Sequence, residues 1–358
     1  MSENPKSEIR NPNFWNKLIL LLLLGFGVLL TGRGRAQEVK PEEQFTLVVL
    51  PDSQCYADTR IGFSARHWGN GDLRKYLHGQ MQWIKENKNK LNIVMVAHVG
   101  DIVQADDEEE WKIADKAFNT IDGAVPYILC LGNHDFGYEE DPEKSPRFRF
   151  AAHRGAATYN KYFGSSRFEG KSWYGGHFGE GNESYYCLFE AGGAKFLIIS
   201  LEFNPRDEVL TWANEVVGQH PDHHCIVLTH SYLNSKNERL IKDPYCRIEG
   251  NAGEAVWEKF VSRHENIFLV LCGHMGGEGQ LTSIGRKGNK VHQILANYQY
   301  TNDGGEGYLR VITFTPEEDT IEIQTYSPVL KKYNTTVKSQ FSLEHRMKGK
   351  AKAEAAKE

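Results

Sequence analysis

The 358-residue chain lacks the marks of several chemistries. It has no CxxC pair, no GxxxxGK[ST] loop and no serine inside GxSxG, so thiol redox, P-loop phosphate transfer and nucleophile-elbow hydrolysis gain no support. Basic residues are not in excess: 42 Lys and Arg stand against 47 Asp and Glu, for a net charge of -5. A nucleic-acid partner is therefore not expected, because phosphate backbones are held by a basic footprint. No internal repeat is present, and outside residues 18–30 no run is apolar for long enough to cross a bilayer. With 40% apolar and 25% charged residues the chain can bury a large core, as one large domain or two smaller ones.

Cysteine is sparse too, at six residues. Cys130, Cys187, Cys225 and Cys272 sit in or beside apolar, strand-like runs, where a free thiol packs as a small hydrophobe. Only Cys55 and Cys246 stand in loop-like sequence, and a bridge between them stays open.

The N-terminus differs from the rest. Lys6, Arg10 and Lys17 precede LILLLLLGFGVLL, residues 18–30, and Gly34 and Ala36 then offer small residues before a cut. This is the pattern of an export signal. The run is shorter than the roughly 20 residues of a spanning helix, which favours a cleaved signal over a retained anchor. Residues 1–36 are accordingly expected to be a signal peptide or N-terminal anchor, making the protein periplasmic or secreted. Membrane contact is expected only through an uncleaved anchor.

Beyond it one design recurs: an apolar, β-branched run ending at once in polar residues. The instances are FTLVVLPD, NIVMVAHVGD, VPYILCLGNHD, AKFLIISLEFN, HCIVLTHS, NIFLVLCGHM and VHQILANYQ. Continuous apolar runs predict strands covered on both faces. Between them, residues 72–90 place Leu73, Tyr76, Leu77, Met81 and Ile84 on one helical face. Residues 106–122 open with an acidic first turn and gather Trp111, Ala114, Phe118 and Ile121. Strand and helix alternating in this way predict a layered α/β domain. Residues 138–185, rich in Gly and aromatics, break the rhythm as an insertion, either a source of substrate contacts or a loop packed by its rings. Residues 308–329 carry a hairpin pattern, and 346–358 a charged tail expected to be disordered.

The strand tips bring polar side chains: Asp52, Asp101, Asn133-His134-Asp135, His230 and His274. Taken singly, each has an ordinary reading as a turn former, cap or hydrogen-bonded histidine. Strand C-terminal ends converge in open α/β architectures, so the set can meet. Mixed carboxylate, amide and imidazole donors suit Mn, Fe, Zn or Ni.

In order, D-x-Q, GDxVQ, GNHD, strand-then-TH and GHM resemble the motifs of the calcineurin-like metallophosphoesterase superfamily over residues 44–330, and in particular an exported bacterial subgroup with a D-x-Q first motif. The resemblance implies an α/β (α+β layered) fold: a β-sandwich flanked by helices, four-layer αββα, with two divalent metal ions (Mn, Fe, Zn or Mg) at the strand ends. It implies that Asp52 is a ligand of one metal and Asp101 the carboxylate bridging both. Asn133, His230 and His274 would complete the second metal's shell. His134 would be the catalytic imidazole near the leaving oxygen, and Asp135 the acid orienting it.

Two departures fall on the same metal. Gln54 stands where the family has a histidine after Asp-x, and Gly273-His274-Met275-Gly276 lacks the second histidine of Gly-His-x-His. Gln54 is expected as a substitute oxygen ligand, with Gln104 as another group able to lean in, and the first site is expected to be the weaker. Arg60, Arg66 and His67 can meet phosphate or simply line a solvated loop. Glu278 and Asn182 are further candidate neighbours. The function implied is an exported phosphoesterase acting on phosphate esters through a metal-bound hydroxide. A phosphodiesterase of nucleotides or phospholipid headgroups, and a non-catalytic phosphate-binding module, remain as alternatives.

Overall fold

The computed structural model describes residues 44–59, 71–140, 149–151, 153–245 and 248–347. The signal or anchor (1–36), Arg60, Arg66, His67, Cys246 and nearly all of the charged tail lie outside the described residues. No helix among the described residues is long and apolar enough to cross a membrane.

Strands β1 (Phe45–Leu50), β2 (Ile93–His98) and β3 (Tyr127–Leu129) alternate with the helices Arg74–Asn87 and Glu108–Phe118. The short strands β4 (Tyr138–Glu140) and β5 (Arg149–Ala151) pair only with each other. Then come β6 (Tyr174–His177), β7 (Tyr185–Ala191), β8 (Ala194–Ser200), β9 (His224–Leu228), β10 (Ile267–Cys272), β11 (Gly277–Ile284) and β12 (Lys290–Asn297). The chain closes with β13 (Leu309–Thr315), β14 (Thr320–Ser327), β15 (Lys332–Asn334) and β16 (Phe341–Glu344).

Two seven-stranded mixed sheets result. The first runs β15-β14-β13-β1-β2-β3, with β16 also on β14, and the second β11-β12-β10-β9-β8-β7-β6. Within them β1, β2 and β3 are mutually parallel, as are β8, β9, β10 and β12.

The period-2 alternation of each strand divides its side chains between two cores. Leu47, Val49, Met95, Ala97 and Ile128 of the first sheet meet Phe196, Ile198, Ile226, Leu228, Leu269 and Leu271 of the second in one core between the sheets. Val48, Leu50 and Val96 face the other way, onto Leu77, Met81, Ile84, Trp111 and Phe118 of the helices. Leu197, Ile199, Val227 and Val270 do the same on the far side with Val209, Ala213 and Val217 of the helix Asp207–Gln219. The layers are helix, sheet, sheet, helix. Apolar side chains at successive positions were needed because both strand faces are covered.

The helix Glu108–Phe118 begins where predicted: Asp107 accepts the N–H groups of Glu109 and Glu110, and three glutamates fill the first turn. From residue 153 on, the insertion has regular structure and a packed interior. Its helix Ala157–Phe163 buries Tyr159 and Phe163, which with Phe168 pack on Trp111, Phe118 and Tyr127. Its last strand, β6, edges the second sheet. The aromatics thus serve packing over 153–185.

The sheet also runs past residue 330. Because β14 has a free edge beyond β13, β15 and β16 both add to it. The following residues close the sandwich: the His345 ring stacks on Phe268 at 3.9 Å, and Met347 is buried in the inter-sheet core.

His345 also approaches His224, Nε2 to Nδ1, at 3.0 Å. Burial, aided by repulsion from His224 and His292, pushes its pKa down to about 3. The unfolded chain therefore takes up this proton first, near the ordinary histidine value. Its contribution to stability is complete above pH 6.5 and is lost as pH falls from there toward 3, at about 1.4 kcal/mol per pH unit. The variant His345→Phe, which keeps the ring stack, should flatten that part of the urea-denaturation profile between pH 6 and 4; an unchanged slope would assign the acid sensitivity elsewhere.

Candidate metal centre

Five chain segments reach the same end of the sandwich because each leaves a parallel strand in the same direction. Asp52 follows β1, Asp101 follows β2, and Asn133, His134 and Asp135 form one 3₁₀ turn after β3. From the second sheet, His230 follows β9 and His274 follows β10. Asp101 and His274 have φ of +54° and +67°, a left-handed backbone that non-glycine residues seldom adopt. Such conformations cost on the order of 1–3 kcal/mol and persist where the surroundings over-determine them.

The motif glycines have a steric reason. A Cβ on Gly132 would lie 2.1 Å from Asp101 Oδ1 and 2.3 Å from its backbone nitrogen. One on Gly273 would lie 2.2 Å from Asp52 Oδ1. The two glycines let the site loops touch.

Asp101, His230 and His274, all buried, each offer a ligand atom, and those atoms lie within 4.8 Å of one another. His230 Nδ1 donates to the Val99 carbonyl at 2.7 Å, which leaves Nε2 3.3 Å from Asp101 Oδ1. The electrostatics show what the cluster wants. Burial would lower the His230 pKa, yet Asp101 and Asp52 hold it up at about 10. Burial would raise the Asp101 carboxyl, yet His230, His134 and His274 bring it below the usual carboxylate range. Burial lifts Asp52 to about 8, against the pull of His230 and with the push of Asp101. These are the responses of buried carboxylates short of positive charge.

The residues fit a divalent cation. His230 Nε2, Asn133 Oδ1 and Gln54 Oε1 are buried without a hydrogen-bond partner, a costly condition for polar atoms unless a ligand completes it. Nitrogen and oxygen donors of this mixture belong to transition-metal shells.

The Asp52 side has a different character. Asp52 accepts the His274 N–H at 3.0 Å and the Asn297 amide at 2.7 Å, and Gln54 Nε2 donates to Asp101 Oδ2 at 3.0 Å. Gln54 thus holds Asp101 through its amide nitrogen and keeps its carbonyl oxygen unspent.

His134 differs from expectation in what holds it. Its backbone N–H donates to Asp101 Oδ1 at 3.0 Å, while its ring Nδ1 meets the Gln104 carbonyl at 2.7 Å and the Gln104 side-chain amide at 2.9 Å. Asp135 does not orient the ring directly. Its oxygens accept the N–H groups of Ile102 at 2.8 Å, Val103 at 3.0 Å and Gly132 at 2.7 Å. The reason is geometric: on a 3₁₀ turn the neighbouring side chain is turned away, so Asp135 points inward and fastens the loop that carries Gln104. Gln104, considered as a ligand, is instead the partner of His134.

Two more candidates lie elsewhere in the fold. Glu278 pairs with the buried Arg310 at 3.1 Å and accepts from Tyr298 and Ser339, and Asn182 bonds Tyr174 and the Phe163 carbonyl. Asn297 and Asp243 were not foreseen. Asn297 ends β12, the last of the apolar runs, so the strand-tip signal that flagged the others was present in VHQILAN. Asp243 follows no strand, and its local sequence carries no such signal.

Comparison with known proteins agrees with this architecture. The sequence profile described as calcineurin-like phosphoesterase matches residues 67–277. The uncharacterized protein YvnB of Bacillus subtilis is 31% identical over 309 residues, covering 83% of this chain, which spans only 21% of that protein's length. The serine/threonine-protein phosphatase CPPED1 of Pongo abelii is 23% identical over 276 residues, 69% of this chain and 76% of its own. Among solved structures, purple acid phosphatase PPD1 from yellow lupin (Lupinus luteus) seeds superposes with a TM-score of 0.53 at 12% identity, over 85% of this chain and 54% of that one. A dimetal phosphatase from Danio rerio does so at 0.50 and 14%, over 84% and 99%. At such identities the superpositions establish a shared fold.

The Gly132 contact generates a test. The variant Gly132→Ala should displace Asp101 and weaken cation binding at least about tenfold. Calorimetric titration of the metal-free protein with Mn²⁺ reads the loss, and an unchanged affinity would show that the Asp101 loop tolerates the shift.

Proposed function

The chain belongs to the calcineurin-like phosphoesterase family, and from that footing we propose that it is a metal-dependent hydrolase of phosphate esters, exported from the cell. The observation that carries the reading is the buried, charge-deficient cluster of Asp101, His230 and His274, with Asn133 Oδ1 and His230 Nε2 left without partners. Asp101, Asn133, His230 and His274 would hold one divalent ion. Asp52, Asp101 and the Gln54 carbonyl would hold the other, whose oxygen-rich shell favours a harder ion such as Mg or Mn. Bound cations would supply charge neutralisation at the phosphoryl oxygens and an acidified water.

The chain's own groups do the rest. Gln104 accepts the His134 Nδ1–H through its carbonyl, so the ring presents Nε2 as the atom that gives a proton to the departing alcohol oxygen. Asp135, by fastening residues 102 and 103, keeps that carbonyl in place. Asp52 is held by the His274 N–H and the Asn297 amide, which fix its carboxylate without adding a charge. Export rests on the charged, apolar and small-residue sequence of residues 1–36.

A chromogenic phosphate monoester and its diester, each tested with Mn²⁺, Zn²⁺ and Mg²⁺, separate the substrate classes. Asp101→Ala should abolish turnover. His134→Ala should lower kcat by about 10²–10⁴-fold while the metal content stays that of the parent. Tight phosphate binding without turnover under any of the metals would instead establish a binding module.

A further inference from the structure

Asp243 stands in a loop between β9 and the helix Gly253–Lys259, away from every strand tip, yet its Oδ2 lies 2.9 Å from His274 Nε2, a buried nitrogen that completes no hydrogen bond elsewhere. It is buried, and its carboxylate is held from two sides. The Ser231 hydroxyl, next to His230, donates to Oδ2 at 2.6 Å, and the Tyr245 N–H donates to Oδ1 at 2.9 Å. Asp243 itself lies outside the ligand cluster that His274 shares with Asp101 and His230. A carboxylate fixed by two donors, against the ring of a metal-ligating histidine but not among the ligands, has one evident use.

We propose that Asp243 is the positioning residue of His274: it takes the proton on Nε2, fixes the ring's tautomer and leaves Nδ1 as the nitrogen turned to the cation. This rests on the reading of His274 as a ligand. A histidine that binds metal through one nitrogen commonly gives its other N–H to a carboxylate, which sets the ring's angle and increases its basicity. The need is greater here than usual. His274 sits on a left-handed backbone at +67°, its neighbour Met275 offers no donor, and its ring packs against the rings of Phe203, His230 and Tyr245. Aromatic edges restrain a ring's plane but do not choose its tautomer. Since Ser231 adjoins His230, the same carboxylate also ties the two histidine-bearing loops together.

The test uses the full-length, metal-free protein and two readouts that do not involve turnover. The first is Mn²⁺ affinity by calorimetry for the parent and for Asp243→Asn and Asp243→Ala, beside the melting temperature of each without metal. The second is the ¹⁵N shift pattern of the His274 ring. The expected result is an affinity loss of about 10–100-fold in Asp243→Ala, a smaller loss in Asp243→Asn, which keeps an acceptor oxygen, and a parent ring protonated on Nε2 that becomes a tautomer mixture in Asp243→Ala. Unchanged affinity, or a parent ring protonated on Nδ1, overturns the proposal. If Asp243→Ala does not fold, the ring pattern of the parent and of Asp243→Asn decides it. Should His274→Ala leave Mn²⁺ affinity unaltered, the metal-site reading fails first, and the two failures are told apart.

Discussion

The Asp101 carboxylate, taken out of water at the junction of two sheets, is the constraint around which this site is built. A buried carboxylate needs compensation on every lone pair. It receives the Gln54 amide on one oxygen and the His134 backbone N–H on the other, which also faces His230 Nε2 at 3.3 Å without a completed hydrogen bond. Those partners come from the segments after β1, β3 and β9, so satisfying one charge obliges three strand tips from both sheets to meet. The backbone at Asp101 accepts a left-handed turn to allow it. Fold and site are therefore not separable: the inter-sheet core brings the tips close, and the carboxylate decides how they are arranged.

The layered fold was legible because it follows from local pattern. Runs such as NIVMVAHVGD admit only a strand with both faces covered, and the helix faces at Leu77, Met81 and Ile84 or Trp111 and Phe118 say what covers them. The polar tips were legible for the same reason: a chain has no cause to end so many buried runs in Asp, Asn or His unless those ends share a task. Even the glycines of GNHD and GHM are written in the sequence, though only the contact with Asp101 and Asp52 explains them.

What pattern did not carry was direction. Asp135 was assigned to the ring beside it, yet neighbours on a tight turn point apart, and the bond goes to backbone N–H groups of a different loop. Asp243 was invisible because a loop residue has no periodicity to mark it, and its meeting with His274 depends on how the chain after Leu240 folds back. The far end of the domain was likewise hidden: β15 and β16 are too short to announce themselves, and they form because β14 offers an open edge.

The two best-marked motifs prove to be one object. Residues 101–104 and 132–135 brace each other in both directions, with Asp101 taking the N–H of His134, Asp135 taking those of Ile102 and Val103, and Gln104 taking the His134 ring. Each carboxylate thus accepts N–H groups from the other loop's backbone, which couples the two loops. The ring is aimed by a peptide carbonyl whose position Asp135 fixes, so the Asp135 charge is spent one layer further in, on backbone N–H groups and not on the ring.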